Sequence, residues 1–386
     1  MKKLRVGVIY GGRSGEHEVS LASGAAIFSN LDRNRYDPVP ILIERDGRWI
    51  IADRPPQSPS AAEAIRRCRQ EARVARHARE LHLVAHPAEE NALTIERRPP
   101  GERGEPEHAY IAGLHLDVYF PVLHGPHGED GTIQGLFELA NVPYVGAGVL
   151  ASAMGMDKAV MKTAFAAAGL PVTGFVWFTR ARWDRDTLAV ADEVSTRLGY
   201  PVFVKPANMG SSVGISKVTE PAALGEAVEL ASSYDRKVIV EAAVPDPQEL
   251  ECGVLGSEAP EASEVGEIVP GHEFYDYDAK YLDTGAETII PARISAAESS
   301  EVKRLALAAF KTIDAHGMAR VDFLLSRPER RIVVSEINTI PGFTTISMFP
   351  KLWEASGVSF SALLDRLIAL ALERHQAKQR LRTACA

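Results

Sequence analysis

The chain has 386 residues, 46% hydrophobic and 24% charged, a balance ordinary for globular proteins that excludes a fibrous repeat or global disorder. Its formal net charge of -8 gives no overall electrostatic reason to bind nucleic acid or an anionic membrane surface. At roughly 100–200 residues per domain, two or three domains are expected.

Cys68, Cys252 and Cys385 are scattered, with no CxxC pair or metal-ligand spacing; this fits a reducing cytoplasm. The apolar run after Met1-Lys2-Lys3 is only as long as a strand and stops at Gly11-Gly12, so no secretory signal is expected. No stretch approaches the roughly 20 apolar residues that span a bilayer. The richest, Leu363 to Leu372, is broken by Asp365 and Arg366. A soluble, cytoplasmic protein without membrane contact is the expectation.

Leu4 to Tyr10 reads as a buried strand, and Glu18 to Leu31 has helical spacing, giving a first strand-loop-helix unit. Strands at Val39 to Ile43 and Val118 to Pro121 extend it into an α/β domain with a parallel sheet. Between them, Asp53 to His108 carries many arginines, no lysine and prolines at Pro55, Pro56, Pro59, Pro99 and Pro100. It reads as a surface insertion with no catalytic role, in which Ser60 and Glu63 suggest a capping box for a helix running towards Glu80.

A helix from Asp157 to Ala168 leads to strands at Val172 to Phe178, Val202 to Lys205 and Gly214 to Val218. Beyond Pro247, strands are expected at Leu250 to Leu255, Gly266 to Pro270, Ala319 to Leu325 and Ile332 to Ile337, with a closing helix at Phe360 to Gln376. The expected division is therefore 1–146, 147–246 and 247–386.

The strongest local signal is the strand pair Ala319-Arg320-Val321-Asp322-Phe323 and Val334-Ser335-Glu336-Ile337-Asn338. Side chains two apart share a face, so antiparallel pairing would project Arg320, Asp322, Glu336 and Asn338 together and turn Val321, Phe323 and Ile337 to the core. Hard oxygen ligands of this kind suit Mg²⁺ held jointly with substrate phosphates. The alternative is a hairpin with a solvated ionic face. The turn Thr339 to Thr345 that follows, with Pro341-Gly342, can expose backbone N–H groups to an oxyanion.

Lys205-Pro206-Ala207-Asn208-Met209-Gly210-Ser211-Ser212-Val213-Gly214 is a phosphate-loop candidate between two strands. Its glycines permit close approach, and Lys205 can meet phosphate charge. It is not a Walker A loop, and Gly11 to Ser20 lacks the GxGxxG order of a dinucleotide site. Glu16 is either an acid near a helix end or a counter-ion for a substrate ammonium. His124 to Gly131 lies at the carboxyl end of a strand, where open α/β sheets place ligands; no third soft ligand supports zinc. Glu273 to Tyr281, aromatic and charged, has the composition of a lid from which Lys280 could reach a phosphate.

In this order, these five segments resemble the D-alanine:D-alanine ligase family of the ATP-grasp superfamily, from about Arg5 to Lys351 and excluding Asp53 to His108 and the tail after Gln376. The resemblance implies an ATP-grasp fold behind an amino-terminal parallel-sheet α/β domain. It also implies ATP as co-substrate, two Mg²⁺ ions (with Mn²⁺ as a substitute), a homodimer, and synthesis of D-alanyl-D-alanine for peptidoglycan. Residue by residue, it implies that Glu16 binds the first D-alanine and links with Ser211 and Tyr281, supported by His124 and Glu129, with Ser347 also at the substrate. It places Lys158, Lys205, Ser211, Ser212 and Lys280 at the phosphates, and Glu241 and Glu249 at adenine and ribose. Asp322, Glu336 and Asn338 would hold the metals, while Arg320 and the Gly342 N–H stabilise the oxyanion. Tyr281, in place of a phenylalanine, favours D-alanine over D-lactate as acceptor. Ala242 and Ala243 depart from the family pattern, which has a bulkier residue there.

Overall fold

The computed structural model describes residues 2–56, 79–88, 90–98, 108–269 and 287–382. Sixteen strands form three sheets among these residues. The first contains β1 (Leu4–Gly11), β2 (Tyr36–Ile43), β3 (Trp49–Ile51), β4 (Arg79–Leu83), β5 (Ala92–Arg98), β6 (His108–Leu114) and β7 (Val118–Pro121), in the order β6-β5-β4-β3-β2-β1-β7. Only β2-β1-β7 is parallel. β1 is covered on both faces, which is why it reads as an unbroken apolar run. At its end Gly11 has φ +92°, and a Cβ there would lie 2.3 Å from the Ile43 carbonyl oxygen. Only glycine fits that turn.

Two expectations are corrected here. The sheet is not wholly parallel, because β3 to β6 join it antiparallel. Nor is residues 53–108 merely a surface excursion, since β4 and β5 extend the sheet and bury Leu81 and Ala92 in its core. Their short period-two alternation is masked in the sequence by the surrounding arginines and prolines. The expected capped helix from Ser60 falls mostly outside the described residues; Glu80 at its far end belongs to β4.

The second sheet, order β10-β9-β11-β8, is antiparallel and comprises β8 (Phe175–Thr179), β9 (Val202–Pro206), β10 (Ser216–Val218) and β11 (Lys237–Ala242). The helices Arg180–Leu198 and Leu224–Ser232 cover it with Trp183, Val190, Val194 and Val228, giving it a core of its own. The third sheet, order β14-β13-β12-β15-β16, is also antiparallel: β12 (Pro247–Gly256), β13 (Glu261–Val269), β14 (Glu287–Ile289), β15 (Gly317–Ser326) and β16 (Arg331–Asn338). The helix Ala296–Thr312 packs Val302, Leu305, Ala309 and Phe310 onto it. That helix starts at a capping box, in which Ser295 and Glu298 satisfy each other's backbone N–H groups.

A shared core joins the first and third sheets. Val6, Val8 and Phe120 of the first meet Phe343, Phe349, Trp353, Leu363 and Leu367 from the carboxyl-terminal third. Phe343 is fully buried, edge-on to Phe120 at 6.1 Å and 5.5 Å from Phe349. Burying such a ring typically contributes about 1.5–3 kcal/mol. This core presses the turn after β16 against the amino-terminal sheet. No single helix among the described residues is long and apolar enough to cross a membrane.

Candidate active site

On β15 and β16 the register places Arg320 opposite Asn338 and Asp322 opposite Glu336. The alternate residues Val321, Phe323 and Ile337 are buried, as period two requires. A bulge after Asp322 lets Glu336 and Asn338 stay on the polar face while Val334 returns to the core. Arg320 donates two parallel bonds of 2.7 Å to the two oxygens of Asp322, and Asn338 Nδ2 donates to Asp322 at 3.0 Å. Glu251, directly opposite Asp322 on β12, brings an oxygen within 3.1 Å of Arg320 Nε. Burial works against the guanidinium charge, but Asp322 and Glu251 more than compensate and hold its pKa well above the ordinary value. Arg320 is a fixed cation.

Lys158 opens the helix Lys158–Ala167 behind the Asp157 cap. Its Nζ lies 3.8 Å from Glu336 and donates to the Met209 carbonyl at 2.6 Å, tying β16 to the Asn208–Gly214 loop. Asp235 accepts from both the backbone and side-chain nitrogens of Asn208, at 2.9 and 2.8 Å, and anchors that loop. Ser211 and Ser212 have φ +51° and +58°, a left-handed conformation uncommon for non-glycine residues. In it, Ser211 Oγ donates to Glu16 across 195 residues of chain.

Glu16 is where three loops converge. A Cβ on Gly125, which has φ +73°, would sit 2.6 Å from its Oε2, and one on Gly210 3.1 Å, so a side chain at 125 would displace the carboxylate and one at 210 would press on it. Gly125 N donates to Glu129 at 2.8 Å, and the other oxygen of Glu129 accepts from Ile340 N at 3.2 Å. Burial, reinforced by the nearby Glu16 charge, pushes the Glu129 pKa up to about 8. His124 bonds the Ile340 carbonyl through Nδ1 and Ser23 through Nε2, both at 3.0 Å. Thus both ends of His124 and Glu129 are engaged by protein groups that brace the turn after β16. In that turn, Ser347 Oγ accepts from Thr344 N at 3.0 Å and would lie 2.8 Å from a Cβ at residue 342, which keeps Gly342 a glycine.

A further cluster lies beside this one. Lys205 Nζ is 3.1 Å and Lys162 Nζ 3.5 Å from the same oxygen of Glu241; Lys162 also donates to Thr173 at 3.1 Å. Burial would raise the Glu241 pKa, yet Lys162 and Lys205 together hold it below the usual carboxylate range. Its second oxygen, Oε1, is buried with no hydrogen-bond partner among the described residues, so it is an acceptor left for a donor from elsewhere. Glu249 stands on β12 two residues before Glu251, on the same half-buried face.

These groups lie around a ring: Lys158 pairs with Glu336 and bonds the Met209 carbonyl, Ser211 in the same loop bonds Glu16, Glu129 bonds Gly125 beside Glu16 and Ile340 beyond β16, Asn338 and Arg320 bond Asp322, and the strand register sets Asp322 opposite Glu336. Lys280 and Tyr281, with the whole expected lid Glu273–Tyr281, lie outside the described residues. Two charged members of this region carry no sequence signal in the reading above. Lys162 is four residues after Lys158, hence on the same helix face, and Glu251 is two after Glu249, hence on the same strand face. No group of three or more His, Cys, Asp or Glu side chains suited to a metal occurs among the described residues. Asp322, Glu336 and Asn338 offer two carboxylates and an amide, a donor set that suits Mg²⁺ only when phosphate oxygens and water complete its shell.

Comparisons with known proteins identify the family. Residues 5–147 match the family model described as D-ala D-ala ligase N-terminus, and residues 164–369 the one described as D-ala D-ala ligase C-terminus. The first span runs through residues 53–108, which the sequence reading placed outside the resemblance. The D-alanine–D-alanine ligase of Heliobacterium modesticaldum is 48% identical over 98% of both chains, and that of Geobacillus thermodenitrificans 46% over the same shares. Among solved structures, the D-alanine-D-alanine ligase from Coxiella burnetii superposes with a TM-score of 0.77 at 36% identity, covering 98% of each chain. A D-Ala:D-Ser ligase from Enterococcus faecalis gives 0.79 at 34%, covering 96% of this chain and all of that one. The architecture shared with these structures is the ATP-grasp fold. On sequence and structure alike, the chain belongs to the D-alanine–D-alanine ligase family.

Proposed function

We propose that this chain joins two molecules of D-alanine at the expense of ATP, releasing D-alanyl-D-alanine, ADP and phosphate, as a cytoplasmic, homodimeric step in making peptidoglycan precursors. A carboxylate is a poor electrophile, so the first D-alanine must be activated. Its carboxylate oxygen attacks the γ-phosphorus of ATP, the bond to the ADP oxygen breaks, and an acyl phosphate forms. The amine of the second D-alanine then attacks the acyl carbon. The tetrahedral intermediate collapses with phosphate as leaving group, carrying away the original carboxylate oxygen, while the amine loses its proton.

Each charge in this sequence would find a counterpart in this ring, in the Lys205–Glu241 cluster beside it, or at Lys280. Glu16, fixed by Ser211, would meet the ammonium of the first D-alanine. Lys158 and Lys205, with Lys280 and the Ser211-Ser212 backbone, would take the phosphates. Glu241, with its open buried Oε1, would accept from the adenine amino group, and Glu249 from the ribose. Asp322, Glu336 and Asn338 would hold two Mg²⁺ ions, or Mn²⁺ in their place. Those cations supply charge neutralisation at the transferred phosphoryl group. Arg320 and the Gly342 N–H would face the oxyanion of the second step, with Ser347 beside them. Tyr281 would close the site against water, which otherwise hydrolyses the acyl phosphate.

The observation that carries this reading is the shared polar face of β15 and β16, where a fixed guanidinium and three oxygen-bearing side chains stand together next to Lys158. The test is incubation with ATP, Mg²⁺ and D-alanine, following phosphate and identifying the product by mass spectrometry. One phosphate per D-alanyl-D-alanine is expected. Phosphate release that needs a different acid, with none from D-alanine, would overturn the substrate assignment. The likeness to a D-Ala:D-Ser ligase makes D-serine the second acceptor to include, and a mixed dipeptide formed faster than D-alanyl-D-alanine would favour that reading.

A further inference from the structure

Ser23 sits on the helix His17–Asn30, fully buried, and touches two segments far along the chain. Its Oγ is 3.0 Å from His124 Nε2 and accepts the backbone N–H of Phe343 at 3.2 Å. Acceptor counting sets the direction of every hydrogen here. His124 Nδ1 faces the Ile340 carbonyl at 3.0 Å; a carbonyl only accepts, so Nδ1 carries the proton. Burial lowers the imidazole pKa despite the opposing charge of Glu16, so the ring is neutral and Nε2 is a bare acceptor. Ser23 must therefore donate to Nε2, which leaves its lone pair for Phe343 N–H.

The bonds form a circuit: Phe343 N–H to Ser23, Ser23 O–H to His124, His124 Nδ1–H to Ile340 O, and back along the chain through Pro341 and Gly342. Gly342 lies inside it. The turn has other anchors, Glu129 on Ile340 N and the Phe343 ring in the core. Removing the Ser23 hydroxyl would therefore let the peptide planes between residues 340 and 343 rotate without releasing the turn. It would also leave Phe343 N–H and His124 Nε2 buried and unsatisfied.

We propose that Ser23 is a positioning residue for the second chemical step, holding the Ile340–Phe343 turn so that the Gly342 N–H points at the oxyanion of the tetrahedral intermediate. This rests on the oxyanion role given to Gly342 above. In the first step, phosphoryl transfer, that oxygen loses charge instead of gaining it, so the rate of that step should depend far less on the N–H. A loss confined to the second step therefore separates positioning from a general structural role.

The experiment is a single-turnover rapid quench of the full-length enzyme, measuring ADP and D-alanyl-D-alanine in the same samples. Ser23→Ala and Ser23→Gly remove the hydroxyl; Ser23→Cys keeps a weak donor and acceptor. The first two are expected to slow dipeptide formation about 10–100-fold, up to the roughly 100-fold cost of a misplacement near 1 Å and short of the roughly 100–1000-fold cost of losing an oxyanion donor outright, and first-turnover ADP formation by less than about threefold. The cysteine variant should fall between them and the wild type. Should the alanine and glycine variants melt too low to assay, the cysteine variant, which fills the same space, carries the comparison on its own, with a smaller loss expected in dipeptide formation and none beyond about threefold in ADP formation. Equal slowing of both steps, or no slowing of either, overturns the role of Ser23 and leaves the ligase reading intact. A wild-type enzyme that makes no dipeptide overturns that reading, and this inference with it.

Discussion

Ser211 donates a hydrogen bond to Glu16, joining the loop after β9 to the loop after β1 at the centre of the proposed site. The serine holds a left-handed backbone to do so, and the carboxylate fits because Gly125 and Gly210 leave it room. Under the proposed roles, the contact would join the loop that takes the phosphates to the carboxylate that binds the first amino acid.

If Glu16 meets the substrate ammonium, Glu16→Gln keeps the shape and removes the charge. A hydrogen bond to a charged group contributes about 1.5–3 kcal/mol, so KM for the first D-alanine should rise roughly 10–100-fold. KM for ATP should stay within about twofold. Ser211→Ala should change the same constant in the same direction by less, since it removes only one partner of Glu16. Steady-state kinetics with each substrate varied in turn checks this, and an effect on ATP alone would contradict it.

The polar face of β15 and β16 predicts a metal dependence with a structural signature. Chelation should abolish phosphate release, and Mg²⁺ or Mn²⁺ should restore it. Asn338→Ala should raise the Mg²⁺ concentration for half-maximal rate by about tenfold or more, because even supporting partners of a metal cost about 10–100-fold in affinity. Asp322→Asn should do the same and also lower the melting temperature, since it leaves Arg320 with less to offset its buried charge. Unchanged Mg²⁺ dependence in Asn338→Ala would count against the ligand assignment.

Glu129 gives a pH prediction with a definite sign. Its pKa rises from an ordinary 4.5 to about 8 in the folded chain, so the folded state binds the proton more tightly than the unfolded state. Its contribution to stability is therefore largest below the unfolded pKa and falls as pH rises through the interval to about 8. Relative to Glu129→Gln, the wild type should lose stability between pH 4.5 and about 8 and run parallel above that. Denaturant melts across this range check it; parallel profiles throughout, or a wild type that gains on the variant, would contradict it.

The face carrying Arg320, Asp322, Glu336 and Asn338 was legible because strand geometry alone puts alternate residues together. So were the glycine-rich loops, whose composition announces tight backbone. Other members were not. Glu251 joins Asp322 only through the β12–β15 register, a pairing between segments some 70 residues apart that no local pattern encodes. Lys162 looks like a solvated helix lysine until the sheet carrying Glu241 is packed over it. Ser23 lies in an alanine-rich helix where a small polar residue has no distinctive signal. The antiparallel strands β4 and β5 were hidden for a different reason: they are short, and the arginines and prolines in and around them blur their alternation.

The account's central claim is that the first amino acid is activated as an acyl phosphate on this ring of charges. It is tested most directly with D-alanine carrying ¹⁸O in its carboxylate, in the presence of ATP and Mg²⁺, reading the isotope in the products by mass spectrometry. The mechanism predicts one ¹⁸O transferred to inorganic phosphate for each dipeptide formed. Dipeptide formation with unlabelled phosphate would mean that the carboxylate oxygen never bonded to phosphorus, and would contradict the claim.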